Sequence, residues 1–335
     1  MLLSTFINPF LKRLAVFLLL CASTSVFAQH HLPFDRLPRS VLDVAPPHER
    51  VTGEPGEMAI VNRSCLARTS RQNLRERIVN IALQEWAYFG FSVDDMTRNA
   101  LNSRRNFPRG FFRRPFLSEE EAKRVSPSIA GYWAAAPDSS WILARQNDNW
   151  KNRGLTARWR DPWSAAFISW VMCESGLEEN EFSRAVAHHT YIDQAIRARD
   201  GSDTQASFTA YDVGEMDVQP GDLLCRGSRP EYISLAQRRS QMGVGARTHC
   251  DIVVQLDTEE RQIMVIGGNV RGSVRMKLFP AAINALGNFS PLPYGRRQIF
   301  AHLKLSHPPL DKDLISTSPV LQQYGAVSGR SAIVQ

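Results

Sequence analysis

The chain has 335 residues, with 40 Lys and Arg against 33 Asp and Glu, giving a net charge of +7. That length suits one large domain, or a core domain with an elaborated flank. So mild a basic excess fits an anionic neighbourhood such as a cell wall or outer-membrane surface, and it makes no case for nucleic acid. Beyond the first 28 residues no apolar run approaches the roughly 20 residues that cross a bilayer.

Residues 1–28 read as a cleavable secretory signal peptide. Lys12 and Arg13 supply the positive start, Leu14 to Cys21 the short apolar stretch, and Val26-Phe27-Ala28 the cleavage positions ahead of Gln29. An uncleaved anchor is the weaker reading, and Leu20 before Cys21 is too bulky for a lipoprotein signal. Cleavage removes Lys12 and Arg13, leaving a charge of about +5 and placing the mature protein in the periplasm. Cys65, Cys173, Cys225 and Cys250 remain. An oxidising compartment permits two disulfides among them, in three possible pairings. Their spacing has no CxxC or zinc-like pattern, so no structural metal site is expected.

Residues 29–68, rich in Pro, Arg and Gly, read as an extended N-terminal arm. Thr69 and Gln72 have capping-box spacing ahead of a helix carrying Leu74, Ile78, Ile81 and Ala82 that ends at Gly90. The basic, aromatic stretch from Arg104 to Arg114 reads as a solvated loop in preference to a grip for phosphates or sugars. Ser118 starts a second helix, interrupted at Pro127. Helices follow over about 162–175 and 190–199. After Pro220-Gly221 come β-like runs at Asp222–Arg226, His249–Leu256, Gln262–Ile266, Ser273–Leu278 and Gln298–Leu305, with a hairpin turn over 257–261. A helical part (69–200) followed by a sheet part (220–305) is an α+β layout, closed by a flexible tail over 306–335.

The chemistry concentrates around Asp161-Pro162-Trp163-Ser164-Ala165-Ala166-Phe167. Asp161 fits an N-cap, Pro162 the first helical position and Gly176 the end, which puts Ser164 in the first turn. The dipole there contributes about 0.3–1 kcal/mol. One pKa unit is about 1.36 kcal/mol, so the hydroxyl needs a base. His249 begins a strand with Asp251 on the same side, while His188 and His189 lie before a helix as cleft-lining or capping candidates. Gly267-Gly268-Asn269 ends the next strand and places Asn269 near His249. The arrangement reads as Ser164 nucleophile, His249 base and Asn269 orienter, with Asp251 a second partner of the imidazole or a surface residue. Asp222 reads as a turn residue, and Trp163 with Trp170 as core packing in preference to a sugar platform. The polar loop from Gly227 to Thr248 reads as a surface insertion, with a lid as the alternative. Cys250, pointing away from His249, is a buried thiol or disulfide partner before it is a nucleophile, and Cys225 on the neighbouring strand is its natural partner.

In order, Trp163-Ser164-Ala165-Ala166-Phe167, Gly221-Asp222, Thr248-His249-Cys250 and Gly267-Gly268-Asn269 resemble the motifs of papain-like cell-wall amidases of the NlpC and CHAP type. More closely, Trp-Ser-Ala-Ala-Phe and His249-Cys250-Asp251 resemble an uncharacterised bacterial domain-of-unknown-function family. The resemblance covers roughly 70–305. It implies a papain-like domain over 69–305, its nucleophile-position helix packed on a small antiparallel sheet, with an N-terminal helical extension. It also implies hydrolysis of amide bonds in peptidoglycan or wall-derived peptides, chemistry that implies no metal or organic cofactor. Ser164 departs from the family pattern, standing where the active enzymes hold Cys. A catalytically inactive wall-binding or scaffold module, and an acyl or ester hydrolase or transferase, are the two alternatives.

Overall fold

A computed structural model describes residues 35–65, 74–97, 118–137, 139–157, 159–229, 231–295, 298–310 and 312–328. The leader at 1–28 and the basic loop at 104–114 lie outside them. The fold is α+β: a layer of helices covers one face of a mostly antiparallel sheet.

The segment expected to be an extended arm is instead tied down. It carries α1 (Arg39–Leu42), a 3-10 turn (Pro47–Arg50), and the paired strands β1 (Val51–Thr52) and β2 (Ala59–Ile60). Arg36 grips Glu85 through two nitrogens at 2.6 and 2.7 Å, buried Arg50 meets Glu174 at 2.5 Å, and Cys65 is disulfide-bonded to Cys173. These links join positions far apart in sequence, which composition could not reveal.

The helical layer follows. Helix α2 (Leu74–Tyr88) precedes the short strand β3 (Val93–Asp95). Helix α3 (Glu119–Ala134) starts at Ser118, whose side chain accepts from Glu121 N–H, with three glutamates in the first turn. It runs through Pro127 without the expected break. The carbonyl of Lys123, which Pro127 cannot serve, receives Ser126 Oγ at 3.3 Å. Helix α4 (Ser140–Arg153), which turns only Ile142, Leu143, Gln146 and Trp150 inward and leaves Trp141 exposed, was not read from the sequence. Helix α5 (Ser164–Glu174) has every residue buried, because it lies between the other helices and the sheet. Leu177 N–H bonds Met172 O as Gly176 takes φ 86°, ending α5 as expected. Helix α6 (His188–Arg199) comes next.

The remaining elements are β4 (Phe208–Tyr211), β5 (Leu223–Arg229), α7 (Leu235–Arg239), β6 (Arg247–Asp257), β7 (Gln262–Val270), β8 (Ser273–Ile283), β9 (Phe289–Pro291), β10 (Ile299–Leu305) and α8 (Pro319–Ser328). The sheet order is β3-β8-β7-β6-β5-β10-β4, with β9 beside β8; only β3–β8 is parallel. Alternation sorts the strands into two faces. Cys225, Cys250, Ile252, Val254, Ile266 and Met276 face the helices, while Leu224, Val253, Val265 and Phe279 build a second apolar layer with Tyr294 on the other side. The tail expected to be flexible supplies α8, whose Val320 is fully buried beside Leu37 and Ala87. The loop at 227–248 is not a plain insertion either, since buried Arg238 clasps Asp193 of α6 at 2.6 and 2.7 Å.

Candidate active site

Ser164 opens α5, preceded by Trp163, and no side chain caps the helix. Asp161, the expected cap, is held by the Arg145 guanidinium instead. The first-turn N–H groups of α5 therefore lack the side-chain acceptor that an N-cap would supply. Trp163 is fully buried and stacks at 5.7 Å on Tyr132, so it is core.

Ser164 Oγ lies 2.6 Å from Nε2 of His188, the first residue of α6. This corrects the sequence assignment, which gave the contact to His249. The ring of His249 packs edge-on to His188 with centroids 5.3 Å apart, and its hydrogen bonds lead elsewhere. The reason is strand parity: Cys250, Ile252 and Val254 face the helices, so His249 and Asp251 face the other side. His189 is engaged with the Ala246 carbonyl at 3.2 Å.

The opposite nitrogen of His188, Nδ1, receives the Cys250 backbone N–H at 3.2 Å and contacts the Tyr191 hydroxyl. A backbone N–H can only donate, so Nδ1 bears the lone pair and the proton of the neutral ring sits on Nε2, donated to Ser164 Oγ. Burial, with His249 nearby, holds the His188 pKa well below the usual histidine value, so the ring is uncharged near neutrality. Cys250 N–H is available because the β6–β7 ladder runs only as far as Ile252↔Ile266. Beyond that pair the strands part, and His188 fills the notch.

His249 Nε2 is 2.9 Å from Asp251 Oδ1, and Lys277 Nζ lies 2.6 and 2.7 Å from the two carboxylate oxygens. Burial, reinforced by Lys277 and Arg226 and opposed by Asp251, pushes the His249 pKa down to about 4. Burial likewise takes the Lys277 pKa down to about 8, against the pull of Asp251. Despite its own burial, Asp251 is held far below the usual carboxylate range by Lys277 and His249. Asp251, not Asn269, thus orients the His249 ring. Asn269 adopts φ 55° where β7 departs from regular pairing, and among the described residues it makes no hydrogen bond to His249.

The two glycines of the Gly-Gly-Asn motif have clear work. A Cβ on Gly267 would stand 1.9 Å from Asp251 Oδ1, and one on Gly268 would stand 2.6 Å from Phe167 Cβ. One glycine admits the carboxylate and the other admits α5. Cys250 is disulfide-bonded to Cys225 directly across the β5–β6 ladder, which removes it as a nucleophile. Asp222 proves to be a buried cross-link, bound by Arg75 at 2.7 Å and His302 at 2.8 Å. Among the described residues no group of three or more His, Cys, Asp or Glu is placed to hold a metal ion. Tyr191 and Lys277 were missed in the sequence. Tyr191 stands one helical turn after His188, and Lys277 interrupts the apolar run Met276–Leu278; both spacings were readable signals.

No curated protein and no solved structure matches this chain. Residues 123–289, which carry Ser164, both helix-start histidines and the His249–Asp251 strand, match the model of a family described as an uncharacterized protein conserved in bacteria, DUF2272.

Proposed function

We propose that the protein is an exported acyl-transfer hydrolase, acting on amide bonds of peptidoglycan peptides, with Ser164 as nucleophile at the start of a papain-like helix. The observation that carries this reading is the 2.6 Å contact between Ser164 Oγ and His188 Nε2 at an uncapped helix start. The export, the papain-like frame and the wall substrate rest on the sequence motifs. In the reaction, Ser164 Oγ attacks the carbonyl while its proton passes to His188 Nε2, and the first-turn N–H groups of α5 receive the oxyanion. The imidazolium then gives that proton to the departing amine, and water hydrolyses the ester to restore Ser164.

For His188 to act as base, its resting proton must first sit on Nδ1 and face Tyr191 Oη. That breaks the bond from Cys250 N–H, a loss of about 1–3 kcal/mol for a buried group. Enzymes lower barriers by about 8–23 kcal/mol, so the rearrangement slows the chemistry without forbidding it. The same bond favours a second reading: a wall-binding module in which His188 donates to Ser164 and removes nothing from it. Incubation of the purified protein with muropeptides and with short-chain acyl esters separates the readings. New amine termini, lost in Ser164→Ala and His188→Ala, support the amidase. Ester cleavage alone shifts the substrate class. Sacculus binding with neither product, unchanged in both variants, supports the binding module.

A further inference from the structure

On the sheet face away from the helices, one end of the sheet is a layer of charge. Arg226 lies directly opposite His249 in the β5–β6 register, so the two side chains share that face. Asp251 and Lys277 lie beside them, and Asp94 binds Arg275 at 2.9 Å and Arg271 at 3.2 Å. Lys277, Arg275 and Arg271 are thus each matched with a carboxylate. Among the described residues Arg226 has no carboxylate partner, although its guanidinium acts electrostatically on His188, His249, Asp251 and Lys277. Its Nε is buried and without a hydrogen-bond partner, and the buried Tyr294 hydroxyl lies against the guanidinium with its own proton lacking an acceptor. A guanidinium N–H and a phenol O–H, both without an acceptor and side by side, make a place where a fixed carboxylate would be matched.

We propose that Arg226, with Tyr294, recognises a carboxylate carried by the substrate. As a statement about substrate this rests on the hydrolase reading; as a statement about an anion site it stands alone. The guanidinium is two side chains removed from the nucleophile: Arg226 faces His249, His249 packs on His188, and His188 touches Ser164. An extended peptide advances about 3.3 Å per residue, so the carboxylate belongs a few residues from the bond that is cut, on an acidic side chain or a free C-terminus. Tyr294 would donate its hydroxyl to the second oxygen.

The test uses N-acetyl-alanyl-alanine and its C-terminal amide as probes, with arginine side-chain NMR of the whole mature protein in wild-type and Ser164→Ala forms. The Arg226 resonance, identified by its loss in Arg226→Lys, should shift saturably with the acid and not with the amide. Arg226→Gln should weaken acid binding by about tenfold or more. An Arg226 resonance unmoved by the acid, or moved equally by acid and amide, overturns the inference. If it responds while Ser164 proves unreactive, the anion site stands and the hydrolase reading falls.

Discussion

Two buried carboxylates, each joined to a cation and a histidine, have opposite characters. Asp222 is fully buried and accepts from Arg75, His302, and the backbone N–H groups of Gln219 and Leu305. The remaining Arg75 hydrogens reach the carbonyls of Pro220, Leu305 and His307, so the knot joins α2, β5 and β10 with its charges answered. Asp251 is held by two side chains, and its histidine keeps 17% of its surface in solvent. Beside it stand a guanidinium without a carboxylate and an imidazole on a serine. The same residue types serve as a cross-link at one place and as an open electrostatic site at the other.

The largest effect should come from the cross-link. Asp222→Ala leaves Arg75 buried and unpaired, and denaturant unfolding should show a loss of about 3–5 kcal/mol. Reactivity of Ser164 in the folded fraction should be kept; a loss smaller than 1 kcal/mol, roughly the scale of an exposed pair, would remove the contrast.

Acid should expose the other site. The folded state keeps His249 neutral down to about pH 4, whereas an unfolded histidine takes up its proton near 6.5. Between those values the unfolded chain binds more protons, so stability falls as pH falls through the window, by up to about 3 kcal/mol. His188, also depressed by burial, acts in the same direction. The groups facing His249 are Asp251, Lys277, Arg226 and His188. His249→Asn should flatten this part of the stability profile, and an unchanged slope would argue that the ring is not buried in its neutral form.

A smaller change sharpens the geometry. Gly267→Ala drives a methyl group into Asp251, with a cost of about 1–3 kcal/mol from overpacking. Gly272→Ala, at a turn with open space but φ 84°, serves as a control for backbone strain alone. Equal losses at the two positions would deny the close approach at Asp251.

Helix α5 was legible because its signals are local: Pro162 before it, Gly176 after it and, between them, an apolar run from Ala165 to Cys173 broken only by Ser169. The α+β order and the strands β5, β6, β7, β8 and β10 were legible for the same reason, whereas the three-residue β9 gives no alternation to read. The partner of Ser164 was assigned to the wrong histidine, although Cys250, Ile252 and Val254 carried the clue. That apolar parity belongs to the helix-facing side and sends His249 the other way. The Arg50–Glu174 pair and the Cys65–Cys173 disulfide were not legible, because they join positions 124 and 108 residues apart and leave no periodic trace. Helix α4 escaped because only four of its residues turn inward.

The most direct test of the central claim is a serine-reactive fluorophosphonate, followed by peptide mapping, on the wild-type protein and on His188→Ala and His249→Asn. The account predicts a single adduct on Ser164, abolished by His188→Ala and merely slowed by His249→Asn. No adduct on Ser164, or one formed equally fast without His188, would contradict it.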